Sequence, residues 1–188
     1  MRTILLPLLA LLSGCAAAPA TVDAVPVAPG VTLRLPEAAE LGRSVDAAQL
    51  VTARHGEDVF VFEGRLSASP EGLVMVGTDP LGRRAMTIRW AQGRMAVERA
   101  AWLPDGVRPE NVLADIVLLY WPGAALRQAL AASGAVVEDG PQRRSVRLDG
   151  RELIAVSYED GDRWNGTARL DNLSWGYQIE VRSLAVAP

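Results

Sequence analysis

The sequence predicts an α+β fold, mainly β, in which a strongly curved antiparallel sheet carries an apolar helical pair across its open face. From Gln49 onward apolar and polar residues alternate with a period of two, which is typical of half-buried strands. The links between these segments are short and rich in turn residues, so they can join only antiparallel neighbours. One long stretch, 109–130, instead has apolar residues at helical spacing.

The stretch 109–130 predicts two helices. Pro109 suits the first position of a helix, and the helix dipole favours the negative charge of Glu110 in the first turn. Pro122 ends the first helix at about Trp121, and a second short helix follows. Two interpretations remain open. The pair either plugs the core of the sheet or forms a lid over a cavity of lipid size.

Ten segments on either side of the helices are predicted as strands: 49–54, 58–68, 72–78, 83–91, 94–100, 136–138, 142–148, 151–158, 167–170 and 176–184. Asp149-Gly150 is a strong signal for a two-residue hairpin between two of them. So many strands in one sheet favour a strongly curved sheet or a partial barrel over a flat one.

The N-terminal residues 1–15 are predicted to be a signal peptide. Arg2 supplies the positive start, and the apolar run that follows is too short to span a bilayer. The run ends in Leu12-Ser13-Gly14-Cys15, which resembles the bacterial lipobox. That resemblance implies that Cys15 is acylated and that the leader is removed. The alternative is an ordinary secretory signal with a chance cysteine.

The residues after Cys15 indicate which membrane holds the lipid anchor and how the folded domain is linked to it. Ala16 is not the aspartate that retains enterobacterial lipoproteins at the inner membrane, which implies a lipid anchor at the periplasmic face of the outer membrane. The segment 16–30 is rich in Ala and Pro and is predicted to be an extended tether. The folded domain is then expected over 31–188.

Composition excludes several classes of function. A net charge of −3 gives no electrostatic basis for binding nucleic acid. One cysteine and one histidine cannot form a zinc site of the usual kind, and we predict no metal and no cofactor. The chain has neither a Gly-x-Ser-x-Gly elbow nor a glycine-rich phosphate loop, so we expect no enzyme activity. We expect a monomer.

Strand alternation and helical spacing together predict which residues border the space between sheet and helices. The candidate ligand-binding residues are Phe60, Phe62, Met86, Ile88 and Trp90 on the sheet, and Leu113, Ile116, Val117 and Tyr120 on the first helix. The same residues would also make an ordinary filled core. The pattern alone does not decide between a cavity and a core.

Two polar residues need a separate interpretation. Asp115 interrupts the apolar helix and is expected to face solvent, to cap a neighbouring strand or to pair with an arginine, and a buried acid catalyst is the least expected role. His55 lies beside Gly56 in a predicted turn and is expected to be a surface residue.

Three motifs carry a resemblance to a known family. They are the lipobox at Cys15, the turn Asp79-Pro80-Leu81-Gly82-Arg83, and the stretch Leu113–Pro122 with its Leu-Ala-Asp and Tyr-Trp-Pro ends. With them the chain resembles the LolA/LolB superfamily of periplasmic carriers, and within it a lipoprotein family known only as a domain of unknown function. The resemblance implies an antiparallel half-barrel with a helical lid, and a LolA/LolB-like lipid-binding domain over 31–188.

The resemblance also implies a function. We expect a membrane-anchored periplasmic lipoprotein that binds or accepts an acyl chain of a lipid or lipoprotein for envelope transport or assembly. The alternative is a non-catalytic envelope interaction or structural module with a filled core, for example an accessory of aryl-polyene lipid biosynthesis.

Overall fold

The computed structural model describes residues 20–159 and 162–186. The predicted lipidation site, Cys15, lies outside the described residues. In chain order the described elements are β1 (Ala20–Thr21), β2 (Ala24–Ala28), β3 (Val31–Arg34), β4 (Val45–His55), β5 (Asp58–Ser69), β6 (Gly72–Thr78), β7 (Arg84–Ala91), β8 (Arg94–Arg99), α1 (Pro109–Tyr120), α2 (Gly123–Leu130), β9 (Val136–Asp139), β10 (Arg143–Leu148), β11 (Arg151–Tyr158), β12 (Gly166–Asn172) and β13 (Tyr177–Val186).

Eleven of these strands form one antiparallel sheet, in the order β1-β8-β7-β6-β5-β4-β13-β12-β11-β10-β9. The first and last strands in this order do not pair with each other in the described residues, so the sheet is open. Most neighbours are joined by short turns. At one of them Asp149 and Gly150 both have positive φ, 51° and 77°, as the predicted two-residue hairpin requires.

The sheet is strongly curved around helix α1. This helix contacts both β7 and β12, which are third and eighth in the strand order. In a flat sheet these strands would lie about 24 Å apart, at about 4.8 Å per strand. Helix α1 follows β13, since Asp115 bonds to Tyr177 and the Tyr120 hydroxyl lies 2.9 Å from the Ser183 hydroxyl. A helix in that direction, with a diameter of about 10 Å, could not contact both. The predicted α+β fold with a half-barrel sheet and a helical lid is therefore confirmed.

The segment before β4 corrects one prediction. Strands β2 and β3 form a separate hairpin, in which Val25, Val27, Val31 and Leu33 are buried. The tether predicted over 16–30 is therefore wrong from residue 20 onward, and the folded domain begins before residue 31. The Ala/Pro-rich composition hid a period of two in Ala24–Ala28, whose buried valines lie on either side of Pro26. Proline is tolerated in such a two-stranded pair at the edge of a fold.

This hairpin covers the outer side of the helical lid. Strand β2 contacts α1 and strand β3 contacts α2. The Ser133 hydroxyl donates to the carbonyl of Thr32 at 3.1 Å and accepts from its amide at 2.9 Å. Helix α1 thus lies between the sheet and the hairpin, which explains why every residue from Leu113 to Tyr120 is buried. The lid is an internal layer of the fold.

Side chains from the sheet hold the C-terminal end of α1. The Arg144 guanidinium is fully buried and donates to the carbonyls of Leu118 and Trp121. The Tyr158 hydroxyl donates to the carbonyl of Leu119 at 2.6 Å. The last carbonyls of a helix have no partner within the helix, so these bonds satisfy acceptors that burial would otherwise penalise. We call this end of the half-barrel the closed end.

Candidate functional site

The opposite half of the space under α1 is a cavity. Its wall on β4, β5 and β13 consists of residues that lie side by side across the strands, in three rows fixed by the pairing register. Because side chains alternate between the faces of a sheet, every second residue of each strand points inward. From the closed end outward, the rows are Gln49, Gly64 and Ser183; then Val51, Phe62 and Val181; then Ala53, Phe60 and Ile179. All of them except Ser183 line the cavity.

The helix and the neighbouring strands complete the cavity. Val112, Ile116 and Leu119 face it from α1, at the spacing of one helical face, and Val107 closes it from the preceding loop. Met75, Gly77 and Met86 line it from β6 and β7. Nearly all of the wall is apolar. The polar side chains on it belong to Gln49, Asp115 and Tyr120.

The space has two connected parts. The inner cavity has a volume of about 130 Å³ and the outer groove about 480 Å³. They share a boundary made by Ala53, Phe60, Val107, Val112, Asp115 and Ile179. The outer groove leads to solvent past His55, Asp58 and Arg108. We call this end of the half-barrel the open end. His55 is exposed there, as predicted.

The structure brings five of the nine predicted ligand-binding residues together on the inner cavity: Phe60, Phe62, Met86, Ile116 and Tyr120. The other four, Ile88, Trp90, Leu113 and Val117, are buried in the hydrophobic core and do not line the cavity. On the sheet the cause is position along the strand, since Trp90 lies at the closed end and donates to the carbonyl of Pro36. On the helix the cause is rotation, because Leu113 and Val117 lie on a different face from Val112 and Ile116.

Sequence reasoning missed the residues that line the cavity from β4 and β13, and Val112 and Leu119 on the helix. The alternation within the predicted strands 49–54 and 176–184 contained the signal for the strand residues. The helical residues carried a weaker signal, because 112–120 is apolar on almost every side.

The floor of the inner cavity is a small polar cluster. The Gln49 amide donates to the Tyr120 and Ser183 hydroxyls, each at 3.0 Å, and those hydroxyls lie 2.9 Å apart. Burial raises the pKa of Tyr120 to about 12, so its hydroxyl stays protonated and remains a donor. The Tyr120 ring also stacks on Trp164, with 4.1 Å between ring centroids. The cluster joins the Gln49 amide nitrogen and the two hydroxyls, and it closes the cavity.

Asp115 lies at the boundary between the inner cavity and the outer groove. Its side chain is buried, and its Oδ1 accepts a hydrogen bond of 2.8 Å from the Tyr177 hydroxyl on β13. Burial raises the pKa of Asp115 to about 7, and burial beside this carboxyl also raises the pKa of Tyr177. Asp115 therefore neither faces solvent nor pairs with an arginine among the described residues. It bonds to the neighbouring strand and borders the apolar space.

The comparisons with known proteins identify the family. The model of a family described as "Protein of unknown function (DUF3261)" matches residues 46–185. The chain belongs to the DUF3261 family. This confirms the predicted membership of a domain-of-unknown-function family. The match includes every residue of the inner cavity, and it leaves out the β2–β3 hairpin.

Among solved structures, the DUF3261 chain is similar to the LolA superfamily protein NE2245 from Nitrosomonas europaea. The two share 12% identity over 78% of this chain and 88% of that chain, with a TM-score of 0.45. No curated protein matches the chain.

Two further observations concern the described residues of this DUF3261 protein. In residues 20–159 and 162–186, no three His, Cys, Asp or Glu side chains come close enough to hold a metal ion. No helix in the same residues is long and apolar enough to cross a membrane. What the site offers is an apolar pocket with a closed polar floor and one carboxyl at its entrance.

Proposed function

We propose that this protein binds the aliphatic chain of a lipid or lipoprotein, as a non-enzymatic acceptor or carrier in the bacterial envelope. The observation that carries the proposal is the inner cavity, an almost wholly apolar space that opens through the outer groove. Water gains few hydrogen bonds in such a space, which favours an apolar occupant. Each methylene group moved from water into it contributes about 0.8 kcal/mol.

The size of the site fits a chain with a head group. The inner cavity, about 130 Å³, accepts part of a chain, and the outer groove, about 480 Å³, accepts the remainder and the head. Together they reach the range of roughly 300–1,000 Å³ that is typical of small-molecule sites. The adjoining methionines Met75 and Met86 suit a flexible ligand because their side chains adapt to irregular contents.

Three exposed apolar residues support contact between the open end and a bilayer. Leu81, Trp102 and Leu173 are 80%, 43% and 56% exposed. They lie on three separate connections, β6–β7, β8–α1 and β12–β13, all at strand ends that point toward the open end. Apolar and aromatic side chains at such tips enter the interfacial region of a membrane favourably. A ligand leaving the groove would then meet lipid directly.

We further propose that Cys15 carries the lipid anchor and that the protein acts at the periplasmic face of the outer membrane. The lipobox-like ending Leu12–Cys15 supports this. A Cys15→Ala variant is expected to lose acyl labelling and to accumulate with its leader. Wild-type protein without label, in a host that processes lipoproteins, would contradict the anchor.

The binding proposal is tested by filling the entrance. Ala53 lines both parts of the site, whereas the adjacent Thr52 lies on the other face of β4. In the full chain carrying Cys15→Ser, Ala53→Phe is expected to abolish uptake of a fluorescent fatty-acid probe, and Thr52→Phe to preserve it. Lipid extraction and mass spectrometry of the purified protein would identify the natural ligand. Absence of probe uptake by the unaltered cavity would contradict the proposal.

A second candidate function is an envelope interaction or structural module with a filled core. The observation in its favour is the small inner cavity, which alone falls below the size of usual ligand sites. This candidate predicts that no probe binds and that Ala53→Phe and Thr52→Phe behave alike.

A further inference from the structure

Asp115 has more hydrogen-bonding capacity than the fold uses. Its carboxyl is buried at the boundary between the inner cavity and the outer groove, and it borders both. Oδ1 accepts from the Tyr177 hydroxyl, while Oδ2 has no hydrogen-bond partner among the described residues. A carboxylate has about four lone-pair positions for hydrogen bonds. At least one oxygen is therefore available to a molecule in the site.

The surroundings of Asp115 make an uncompensated carboxyl costly. Two arginines line the outer groove, Arg54 and Arg108. Neither forms a salt bridge with Asp115 within the described residues, and Arg108 pairs with Glu110 at 2.6 Å. Its neighbours on the boundary are Ala53, Phe60, Val107, Val112 and Ile179, which offer no polar side chain. The Tyr177 hydroxyl compensates Oδ1 only, so a ligand that donates a hydrogen bond to Oδ2 replaces solvation that this apolar wall restricts, and it gains free energy on binding.

We propose that Asp115 binds the head group of the ligand, and that this head carries an N–H or O–H donor. This inference rests on the proposed function. The ligand class is a single-chain amphiphile with a hydroxyl, amide or ammonium head, whose tail fills the inner cavity. A carboxylate or phosphate head offers only acceptors when ionised, so it would meet the Asp115 oxygens unfavourably. An ammonium head would make a charge-assisted bond in a site largely shielded from water.

The alternative role of Asp115 is structural. Its bond with Tyr177 joins α1 to β13, and that contact alone could account for a polar residue on this helix. An asparagine would accept the same hydrogen bond through its side-chain oxygen. A purely structural aspartate therefore predicts that Asp115→Asn leaves ligand preference unchanged. A head-group site predicts a changed preference.

The experiment compares matched chains that differ only in the head. Dodecylamine, dodecanol and dodecanoate compete against a fluorescent acyl probe, with the full chain carrying Cys15→Ser, at about pH 8, where Asp115 is mostly ionised. Wild-type Asp115 is expected to favour dodecylamine over dodecanoate by at least about tenfold, with dodecanol between them. Asp115→Asn is expected to reduce that ratio to about threefold or less while dodecanol still binds.

A matched control separates a local bond from general attraction of cations to an acidic protein. Glu57 is exposed in the turn at the open end and does not line the site. Glu57→Gln is expected to leave the ratio unchanged. If wild type binds all three chains equally, Asp115 is structural and the proposed function stands. If none of the chains binds, the proposed function itself fails. The wild-type ratio remains a test even if Asp115→Asn does not fold.

Discussion

The two ends of helix α1 lie under the same sheet but are built differently. At the closed end the last carbonyls of the helix accept hydrogen bonds from Arg144 and Tyr158, and the indoles of Trp90 and Trp121 bond to backbone carbonyls of the segment after β3. At the open end the helix faces an apolar space, with one carboxyl at the boundary. One helix thus combines a hydrogen-bonded attachment at its C-terminal end with an apolar site along the rest of its length.

The largest expected effect lies at the closed end. Arg144→Met removes the donor to the Leu118 and Trp121 carbonyls and leaves Asp139 with Arg163 as its remaining ion-pair partner among the described residues. We expect the free energy of unfolding to fall by about 3–5 kcal/mol, because buried acceptors lose their partners. Denaturant unfolding measures the change.

The neighbouring arginine is the control for this change. Arg143 is largely exposed and pairs with Glu152 on the surface. Arg143→Met is expected to change the free energy of unfolding by less than about 1 kcal/mol. Equal losses for both variants would mean that the closed end does not hold the helix as described.

Two leucine-sized residues on the same helix sharpen the comparison. Leu118 is fully buried and borders neither the inner cavity nor the outer groove, whereas Ile116 lines the inner cavity. Leu118→Ala is expected to cost about 2–5 kcal/mol, because it opens a void in a filled core. Ile116→Ala enlarges a space that already exists, so we expect a loss below about 2 kcal/mol.

The second measurement for this pair is displacement of a fluorescent fatty-acid probe. We expect probe affinity to change in Ile116→Ala and to stay unchanged in Leu118→Ala under conditions where both are folded. A large stability loss in both variants, together with no probe binding by either variant or by the wild type, would contradict this prediction. Helix α1 would then pack in a filled core along its whole length.

The contrast between the closed end and the open end also separates what the sequence could predict from what it could not. Helix α1 and most strands lie within one or two residues of their predicted bounds, because periodicity and turn residues are local signals. Which part of the inward face of the sheet is covered by core side chains depends on contacts between residues that are far apart in the sequence. Trp90 is buried at the closed end, where the chain after β3 supplies the carbonyl of Pro36 to its indole N–H. No local pattern near residue 90 contains that information.

The same limit applies to the helix and to the N-terminal hairpin. Leu113 and Ile116 are equally apolar, so spacing alone could not show which of them faces the cavity. The answer follows from the hairpin β2–β3, which covers the outer face of the lid. Asp115 accepts its hydrogen bond from Tyr177, which lies near the C-terminal end of the chain. Such pairings require the tertiary structure.

The next effect depends on pH. The pKa of Asp115 is raised to about 7 in the folded state from 3.8 in the unfolded state. Between these values the folded protein binds more protons than the unfolded chain, so this group's stabilising contribution is lost as pH rises. The expected slope approaches 1.4 kcal/mol per pH unit, or about 1–2 kcal/mol between pH 5 and pH 6.5.

Asp115→Asn should remove this slope without breaking the bond to Tyr177. The measurement is the difference between wild-type and variant unfolding free energies from about pH 5 to pH 8, which cancels the titration of other groups. We expect the variant to gain relative stability as pH rises. A flat difference would show that the carboxyl is solvated at the open end.

The smallest expected effect is that of Gly77, and Gly72 at the opposite end of strand β6 provides the contrast. A Cβ added at Gly77, on the inner cavity, would lie 3.8 Å from Met86 Cγ and 3.9 Å from Met75 Sδ, which are ordinary contacts. At Gly72, at the closed end, it would lie 3.0 Å from the Trp90 carbonyl oxygen and 3.1 Å from Ala91 Cβ. Gly77→Ala is therefore expected to stabilise the fold by up to about 1 kcal/mol, since alanine restricts the unfolded chain. Gly72→Ala is expected to destabilise it by about 1–3 kcal/mol, because the backbone oxygen cannot move away. Thermal unfolding of the two variants measures whether their changes in stability have opposite signs. Equal destabilisation would show that β6 is packed as tightly at the cavity as it is at the closed end.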